Sequence, residues 1–479
     1  MAFSVGTTLA RNGMLQPTQP QWTVSVETGS GKLAEPQTGP NWLKNGFETT
    51  ITMKFIHTAD IHLDSPLRGL SSYPDAPAER LRTATRNAFH NLVTHAIDEQ
   101  VDFVVIAGDV YDGDWKDFNT GLFFVRQMGR LRHAGIPAYL LYGNHDADSE
   151  MTRGLELPDN VHVFSSRKAE TFRIDNKKVA LHGRSFKVAA TTENLLPGYP
   201  APVAGWLNLG VLHTALEGHS EHAKYAPCSV AELQAKGYQY WALGHVHEHW
   251  VQRGDVTIAY PGNLQGRHIR ELGARGALVV TAEDGEITAV DRLEVDVLRW
   301  HALDIDVSAA ADLRSAVRMV GQAMEQVLES TPSDLPVAMR VVFRGRSSVH
   351  AELIADEGQL RQEVIAQAVA LDADRIWVEK VRVATEAMGT ASSSMDEEAL
   401  GALAELESLA LSAHDEPDFI RSLQADWQAL LERLPHDVLQ AAPELSALRQ
   451  DPLAQVPDRI RQATPVLMAR VGLDARSSS

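Results

Sequence analysis

From Met53 onward, short apolar runs alternate with longer stretches of helical period. The runs are Lys54-Phe-Ile-His-Thr58, Val101-Asp-Phe-Val-Val-Ile106, Pro137-Ala-Tyr-Leu-Leu-Tyr142, Leu209-Gly-Val-Leu-His213, Tyr238-Gln-Tyr-Trp-Ala-Leu243 and Thr257-Ile-Ala-Tyr260. Strands alternating with helices predict an α/β fold. Each of the first five runs ends at a Gly, Asp, Asn or His cluster, so polar chemistry is expected at strand ends. A smaller β-α-β-α-β unit follows, with strands near Trp300 to Val307, Val337 to Phe343 and Arg375 to Val383. Its first helix carries Leu313, Val317, Val320, Met324 and Val327 at spacings of four and three, one apolar stripe.

The flanking segments have a different character. Residues 1–52 are rich in Gly, Pro, Thr, Gln and Asn without a sustained period and predict a disordered extension, with Met53 an alternative start of the chain. After a polar linker at Gly389 to Ser394 the remainder has helical periodicity, with a second stripe at Phe419, Leu423, Trp427, Leu430 and Leu434. The expected organisation is an extension (1–52), an α/β domain (53–293), a small α+β domain (294–388) and a helical tail (389–479).

Composition narrows the function. A chain of 479 residues exceeds what one core usually serves. The formal charge of -19 argues against strong unaided binding to nucleic acid through phosphate contacts, leaving a local basic groove, bound cations or a partner's surface as the means. The tail contributes 15 Asp and Glu against 7 Arg, as expected of a protein-docking module. No run of about 18 apolar residues and no signal-peptide pattern is present, so a cytoplasmic protein outside the membrane is expected. The single cysteine, Cys228, has no second thiol to pair with and is read as structural.

Five blocks carry the chemistry: Asp60-Ile-His62, Gly108-Asp109, Gly143-Asn-His-Asp146, His213 and Gly244-His-Val-His247. Each lies at the end of a predicted strand. The glycine before Asp109, Asn144 and His245 permits a tight turn and close backbone approach. Carboxylates, a carboxamide oxygen and imidazoles suit Mn²⁺, Zn²⁺ or Fe rather than thiophilic metals. Seven ligands exceed the needs of one tetrahedral ion but suit two ions sharing a carboxylate, about 3.5 to 4 Å apart, which clamp the attacking and leaving oxygens of a phosphoryl group.

The order of these blocks, across roughly residues 53 to 265, resembles the calcineurin-like metallophosphoesterase superfamily, whose pattern is D-x-H, G-D, G-N-H-[DE], H and G-H-x-H. That resemblance implies a two-sheet core flanked by helices. It implies that Asp60, His62 and His247 hold one metal, that Asn144, His213 and His245 hold the other, and that Asp109 bridges them. It also implies that His145 protonates the leaving oxygen. Asp146 either orients His145 or caps the turn.

Phe55-Ile-His-Thr-Ala-Asp-Ile-His-Leu-Asp64, Gly108-Asp-Val-Tyr-Asp112, Ala242-Leu-Gly-His-Val-His247 and Tyr260-Pro-Gly-Asn-Leu-Gln-Gly-Arg267 resemble the SbcD-type nucleases of DNA double-strand-break repair. Within that group Asp64-Ser-Pro-Leu67, Tyr225-Ala-Pro-Cys228 and Gln265-Gly-Arg-His-Ile-Arg270 are most similar to the bacterial YhaO-type proteins. The resemblance implies a manganese-dependent DNA exonuclease, with endonuclease activity as an extension and iron, zinc and magnesium as alternative metals. It further implies a capping domain over the site and an SMC-like ATPase partner, with a homodimer as another assembly. Other members act on nucleotides or small phosphoesters, which is the alternative substrate class. One departure is Asp112, where archaeal and eukaryotic relatives carry a histidine. Arg267, His268 and Arg270 after the last block, and Arg340, Arg344 and Arg346 on one predicted strand, are candidate phosphate contacts or, alternatively, solvated charges. His219 and His222 are read as loop residues rather than extra ligands.

Overall fold

The structure, a computed structural model, describes residues 51–67, 70, 78–112, 118–148, 155–216, 225–388, 397–431 and 456–477. Residues 1–50 of the expected extension, the linker at 389–394, Leu434, His219 and His222 lie outside them.

Four parallel strands come first: β1 (Thr52–Thr58), β2 (Phe103–Ala107), β3 (Ala138–Leu141) and β4 (Val161–Val163). β1 thus begins one residue before the expected Met53. The next six strands form a second sheet: β5 (Glu170–Ile174), β6 (Val179–Gly183), β7 (Leu207–His213), β8 (Tyr240–Gly244), β9 (Trp250–Gln252) and β10 (Thr257–Tyr260), in the order β5-β6-β7-β8-β10-β9. The chain then returns to the first sheet as an antiparallel pair, β11 (Gly276–Glu283) on the open edge of β1 and β12 (Glu286–Glu294) outside it.

Side chains alternate across each strand. Phe55, Phe103, Val105, Tyr139 and Leu141 face Leu209, Val211, Tyr240 and Ala242 across the gap between the sheets. Ile56, Val104, Ile106 and Leu140 point the other way, onto helices α1 (Ala78–Asp98) and α2 (Phe118–His133). The far side of the second sheet is covered by the 195–199 segment and by the helix Val230–Ala235. Both sheets are therefore buried on two faces, which is why their central strands are near-continuously apolar. This is the two-sheet, helix-flanked α/β core that the sequence predicts.

A third sheet of three parallel strands follows, β13 (Arg299–Asp306), β14 (Val337–Ser347) and β15 (Ile376–Ala387). The predicted stripe on the helix Leu313–Ser330 packs into its core, with Val317, Val320 and Met324 buried. Asp312 caps that helix by accepting from Ser315 N at 2.7 Å. The second predicted helix is two, His350–Ala355 and Glu357–Asp372, because the Asp356 backbone leaves the helical path and its side chain caps the latter by accepting from Gln359 N at 2.9 Å.

The tail is helical over Glu397–Ser412, Pro417–Leu431 and Val456–Ser477. Its last helix returns to the small domain, where Arg470 donates to the carbonyl of Ala355 and Val456 and Ile460 are buried. The stripe of Phe419, Leu423 and Trp427 stays exposed or half-exposed.

Candidate metal centre

The five blocks meet at the carboxyl ends of β1, β2, β3, β7 and β8, along the seam of the two sheets. The β1–β2 ladder continues past both strands: Asp60 N donates to Gly108 O at 3.0 Å, His62 N to Asp109 O at 3.0 Å and Leu63 N to Val110 O at 2.9 Å. Within this register Asp60, His62 and Asp109 take positive φ, at 50°, 45° and 53°, and His245 past the end of β8 does so at 100°. L-residues adopt that region at a cost, and such strain gathers at functional sites where the surroundings over-determine it. The glycines allow the close approach expected of them. A Cβ on Gly143 would lie 2.3 Å from Asp109 Oδ1, and one on Gly244 would lie 2.0 Å from the Ala107 carbonyl oxygen.

The side chains converge in overlapping groups. Ligand atoms of Asp60, His62 and His247 all lie within 4.8 Å of one another, as do those of Asp109, His213 and His245, and the triad His62, Asp109 and His145 overlaps both. Asn144 Oδ1 sits 3.0 Å from His213 Nε2 and so joins the second group. Asp109 lies between the groups, with Oδ2 3.4 Å from His213 Nε2 and 4.0 Å from His62 Nε2. His213 Nδ1 lies 2.9 Å from the Ala107 carbonyl, an acceptor that puts the proton on Nδ1 and turns the Nε2 lone pair into the cluster. Buried oxygen and imidazole donors with no thiolate among them fit hard-to-intermediate divalent ions.

The calcineurin-like phosphoesterase family model matches residues 53–249, and that of the metallophosphoesterase YhaO middle domain matches residues 300–386. The metallophosphoesterase YhaO of Bacillus subtilis is 34% identical over 297 residues, spanning 61% of this chain and 72% of that protein. The chain belongs to the YhaO-type calcineurin-like metallophosphoesterases. More distant relatives are the DNA double-strand break repair proteins Mre11 of Aeropyrum pernix, 24% identical over 63% of this chain and 76% of its own, and of Methanopyrus kandleri, 26% identical over 58% and 65%. A crystallised dimetal phosphatase from Danio rerio matches 50% of this chain and 99% of its own at 12% identity and a TM-score of 0.31.

The electrostatics of this metallophosphoesterase are those of a site made to hold positive charge. Burial pushes the Asp109 carboxyl up, but the adjacent His213 outweighs it and brings it to about 2. Burial depresses His213, and the Asp109 charge overcomes that and raises it to about 9. A ligand imidazole must be neutral, so a bound cation would displace that proton and take over its electrostatic role. Burial raises Asp60, which accepts from His245 N at 3.1 and 3.0 Å. Burial, then Arg267, holds His62 well below the ordinary imidazole range.

Asp146 accepts from Tyr111 N at 3.0 Å and Gly143 N at 3.1 Å, binding the β2 and β3 loops together. Of its two expected uses, the observed bonds are those of a turn brace. The His145 ring pairs with Asp112, with Oδ1 3.2 Å from Nδ1. That hydrogen bond, ahead of the opposing effect of burial, raises the imidazole above its ordinary value. The departure noted in the sequence therefore supplies a partner for His145.

Two further residues escaped the sequence reading. Glu271, 4% exposed, lies 2.8 Å from His247 Nδ1, and Ser65 Oγ donates to Asp112 at 2.8 Å. Glu271 belongs to no motif, and Asp64-Ser-Pro-Leu67 does not announce the role of Ser65, since both act through neighbours distant in sequence.

The candidate phosphate contacts are divided by their surroundings. Arg267 turns inward, its guanidinium 3.2 Å from Ser65 Oγ, 3.5 Å from Glu271 and 3.8 Å from Asp112. His268 is half-buried beside Glu271 at 3.8 Å, and Arg270 is exposed. Arg340, Arg344 and Arg346 share one face of β14 as expected, but each pairs with a neighbouring-strand carboxylate: Glu379 at 2.6 Å, Asp304 at 2.5 Å and Glu386 at 3.0 Å. Their charge is partly neutralised within the sheet.

Proposed function

We propose that this metallophosphoesterase hydrolyses phosphodiester bonds in DNA, as an exonuclease with endonuclease capacity as an extension. The observation that carries the reading is the pair of ligand groups, Asp60-His62-His247 and Asp109-His213-His245, linked through the triad His62, Asp109 and His145, in which we take His145 as a proton donor rather than a ligand. The DNA assignment draws its support from the two Mre11 relatives and the family-matched unit at residues 300–386.

Asp60, His62 and His247 would hold one divalent ion, and Asn144, His213 and His245 the other, with Asp109 shared. We take manganese as the native metal. When bound, two such ions activate a water and polarise the phosphate oxygens. The protein's own contribution is orientation and proton transfer. Asp112 on Nδ1 favours the imidazolium form of His145, so that the ring donates its other proton to the departing oxygen. Asp146 keeps that loop fixed on β2. The tail is proposed to dock an SMC-like ATPase in the cytoplasm, with its acidic, half-exposed helices as the contact; a homodimer is the competing assembly.

A specific observation favours a second reading, a phosphoesterase for nucleotides or other small esters: the three β14 arginines are already ion-paired and the chain charge is -19. Rates on linear DNA, bis-p-nitrophenyl phosphate and p-nitrophenyl phosphate separate the two. DNA and diester hydrolysis abolished in Asp109→Ala and His145→Ala supports the proposal; monoester preference with inert DNA transfers support to the second reading.

A further inference from the structure

The loop between β10 and β11 carries Arg267 and Glu271 and is fixed from outside the metal centre. Gln265 Nε2 donates to Leu298 O at 2.7 Å, Trp300 Nε1 to Gly266 O at 2.8 Å and Gly273 N to Trp300 O at 3.0 Å. Within the loop Glu271 N returns to His268 O at 2.9 Å, and Arg267 N donates to Glu271 Oε2 at 2.6 Å. The Glu271 carboxylate is thus held in place before it reaches His247.

That contact determines what His247 can do. A carboxylate oxygen only accepts, so at 2.8 Å it takes the proton of Nδ1, and the neutral ring must then present its Nε2 lone pair. Nε2 is the nitrogen 3.2 Å from His62 Nε2, inside the group with Asp60. Arg267 Nη2 also approaches His247 Nδ1, at 3.3 Å. Nδ1 cannot donate to one and accept from the other, and the shorter, charge-assisted bond to Glu271 prevails.

From Glu271 the contacts run on. The Arg267 guanidinium reaches Glu271 Oε1 at 3.5 Å on one side, and Ser65 Oγ at 3.2 Å and Asp112 at 3.8 Å on the other. Ser65 and His145 both bind Asp112. One chain of polar contacts therefore joins a proposed metal ligand to the proposed proton donor.

We propose that Glu271 and Arg267 are positioning residues: Glu271 fixes the tautomer and ring orientation of His247, and Arg267 couples that support to Asp112 and thereby to His145. The proposal rests on the metal-centre assignment above but not on the identity of the substrate. Carboxylate partners of ligating histidines typically contribute 10- to 100-fold in metal affinity.

The test titrates the metal-free full-length protein with Mn²⁺, following free Mn²⁺ by electron paramagnetic resonance, and does not depend on turnover. Glu271→Ala is expected to weaken Mn²⁺ binding about 10- to 100-fold. Glu271→Gln, whose amide oxygen still accepts from Nδ1, is expected to restore most of it and also serves if the alanine variant fails to fold. Wild-type affinity in a folded Glu271→Ala, or equal loss in both variants, would overturn the assignment. For Arg267→Gln the expected result on bis-p-nitrophenyl phosphate is a lower kcat with little change in KM. A raised KM at unchanged kcat would make Arg267 a substrate grip instead. If the wild type bound two Mn²⁺ and cleaved no DNA, the DNA reading would fail while the affinity results still judged Glu271.

Discussion

Replacing Gly143 with alanine tests the centre through geometry alone, because the substitution removes no ligand. The added Cβ would lie 2.3 Å from Asp109 Oδ1 and 2.8 Å from His213 Cε1, where real Cβ contacts essentially never fall below 3.0 Å. The shared carboxylate must therefore retreat by at least the difference of 0.7 Å. Metal–ligand distances tolerate only about 0.2 Å, so the move exceeds the tolerance severalfold. Asp109 cannot turn away at no cost, because its Oδ1 also accepts from His145 N at 3.0 Å. A misplacement approaching 1 Å costs on the order of 100-fold in rate, and overpacking of this kind about 1–3 kcal/mol in stability. We expect Gly143→Ala to retain less than a full complement of Mn²⁺ after dialysis, measured by plasma mass spectrometry, and to lose about 100-fold in diesterase rate. Gly129→Ala is the control. It lies in α2 with nothing within 4 Å of the new Cβ, and should gain up to about 1 kcal/mol of helix stability with full metal content. A Gly143→Ala protein with wild-type metal content and kcat would refute the claim that this glycine sets the position of Asp109.

Three more outcomes are expected. His57, wholly buried against Tyr240 and Leu243 O, is depressed by burial from 6.5 to about 3; the unfolded chain binds its proton first, so its contribution is intact above pH 6.5 and falls as pH drops towards 3, by about 3 kcal/mol at pH 4. Urea unfolding at pH 7 and pH 4 should show wild type losing that much more than His57→Gln, and equal losses would contradict it. In Gly210→Ala the methyl would lie 2.2 Å from the Trp241 ring, so melting should report a loss of about 1–3 kcal/mol while Mn²⁺ stoichiometry stays at the wild-type value. Mn²⁺ at about 100 times its dissociation constant should stabilise the metal-free protein by about 2.7 kcal/mol, and a melting temperature indifferent to Mn²⁺ and to chelator would count against a folded-state metal site.

How much could be read in advance depended on the range over which each feature is encoded. β2, Phe-Val-Val-Ile-Ala, is buried throughout and announces itself as an apolar run. β4 and β9 are three residues each and half-buried, and β12 alternates Glu-Ile-Thr-Ala-Val-Asp-Arg-Leu-Glu at an edge, so none stands out from loop sequence. Each ligand block sits at a strand end, and all but the isolated His213 carry their own spacing signal. Glu271 does not, because its meaning depends on a fold that brings residues 24 apart in sequence into contact. The Asp112–His145 contact spans β2 and β3, and the arginine pairs of β14 depend on a strand register that the sequence pattern leaves open.

The seam between the sheets bears on how the protein is assembled. Both proposed metal sites draw on both sheets: Asp60 and His62 from the first with His247 from the second, and Asp109 from the first with His213 and His245 from the second. A third triad, His62, Asp109 and His145, comes from the first sheet alone, but it borrows the proposed proton donor and completes neither site. During synthesis the first four candidate ligands are therefore displayed long before their counterparts, with 185 residues separating Asp60 from His245. Neither proposed site is complete until the sheets have closed on each other, so a nascent or truncated chain ending before β8 lacks His245 and His247 and with them part of both sites.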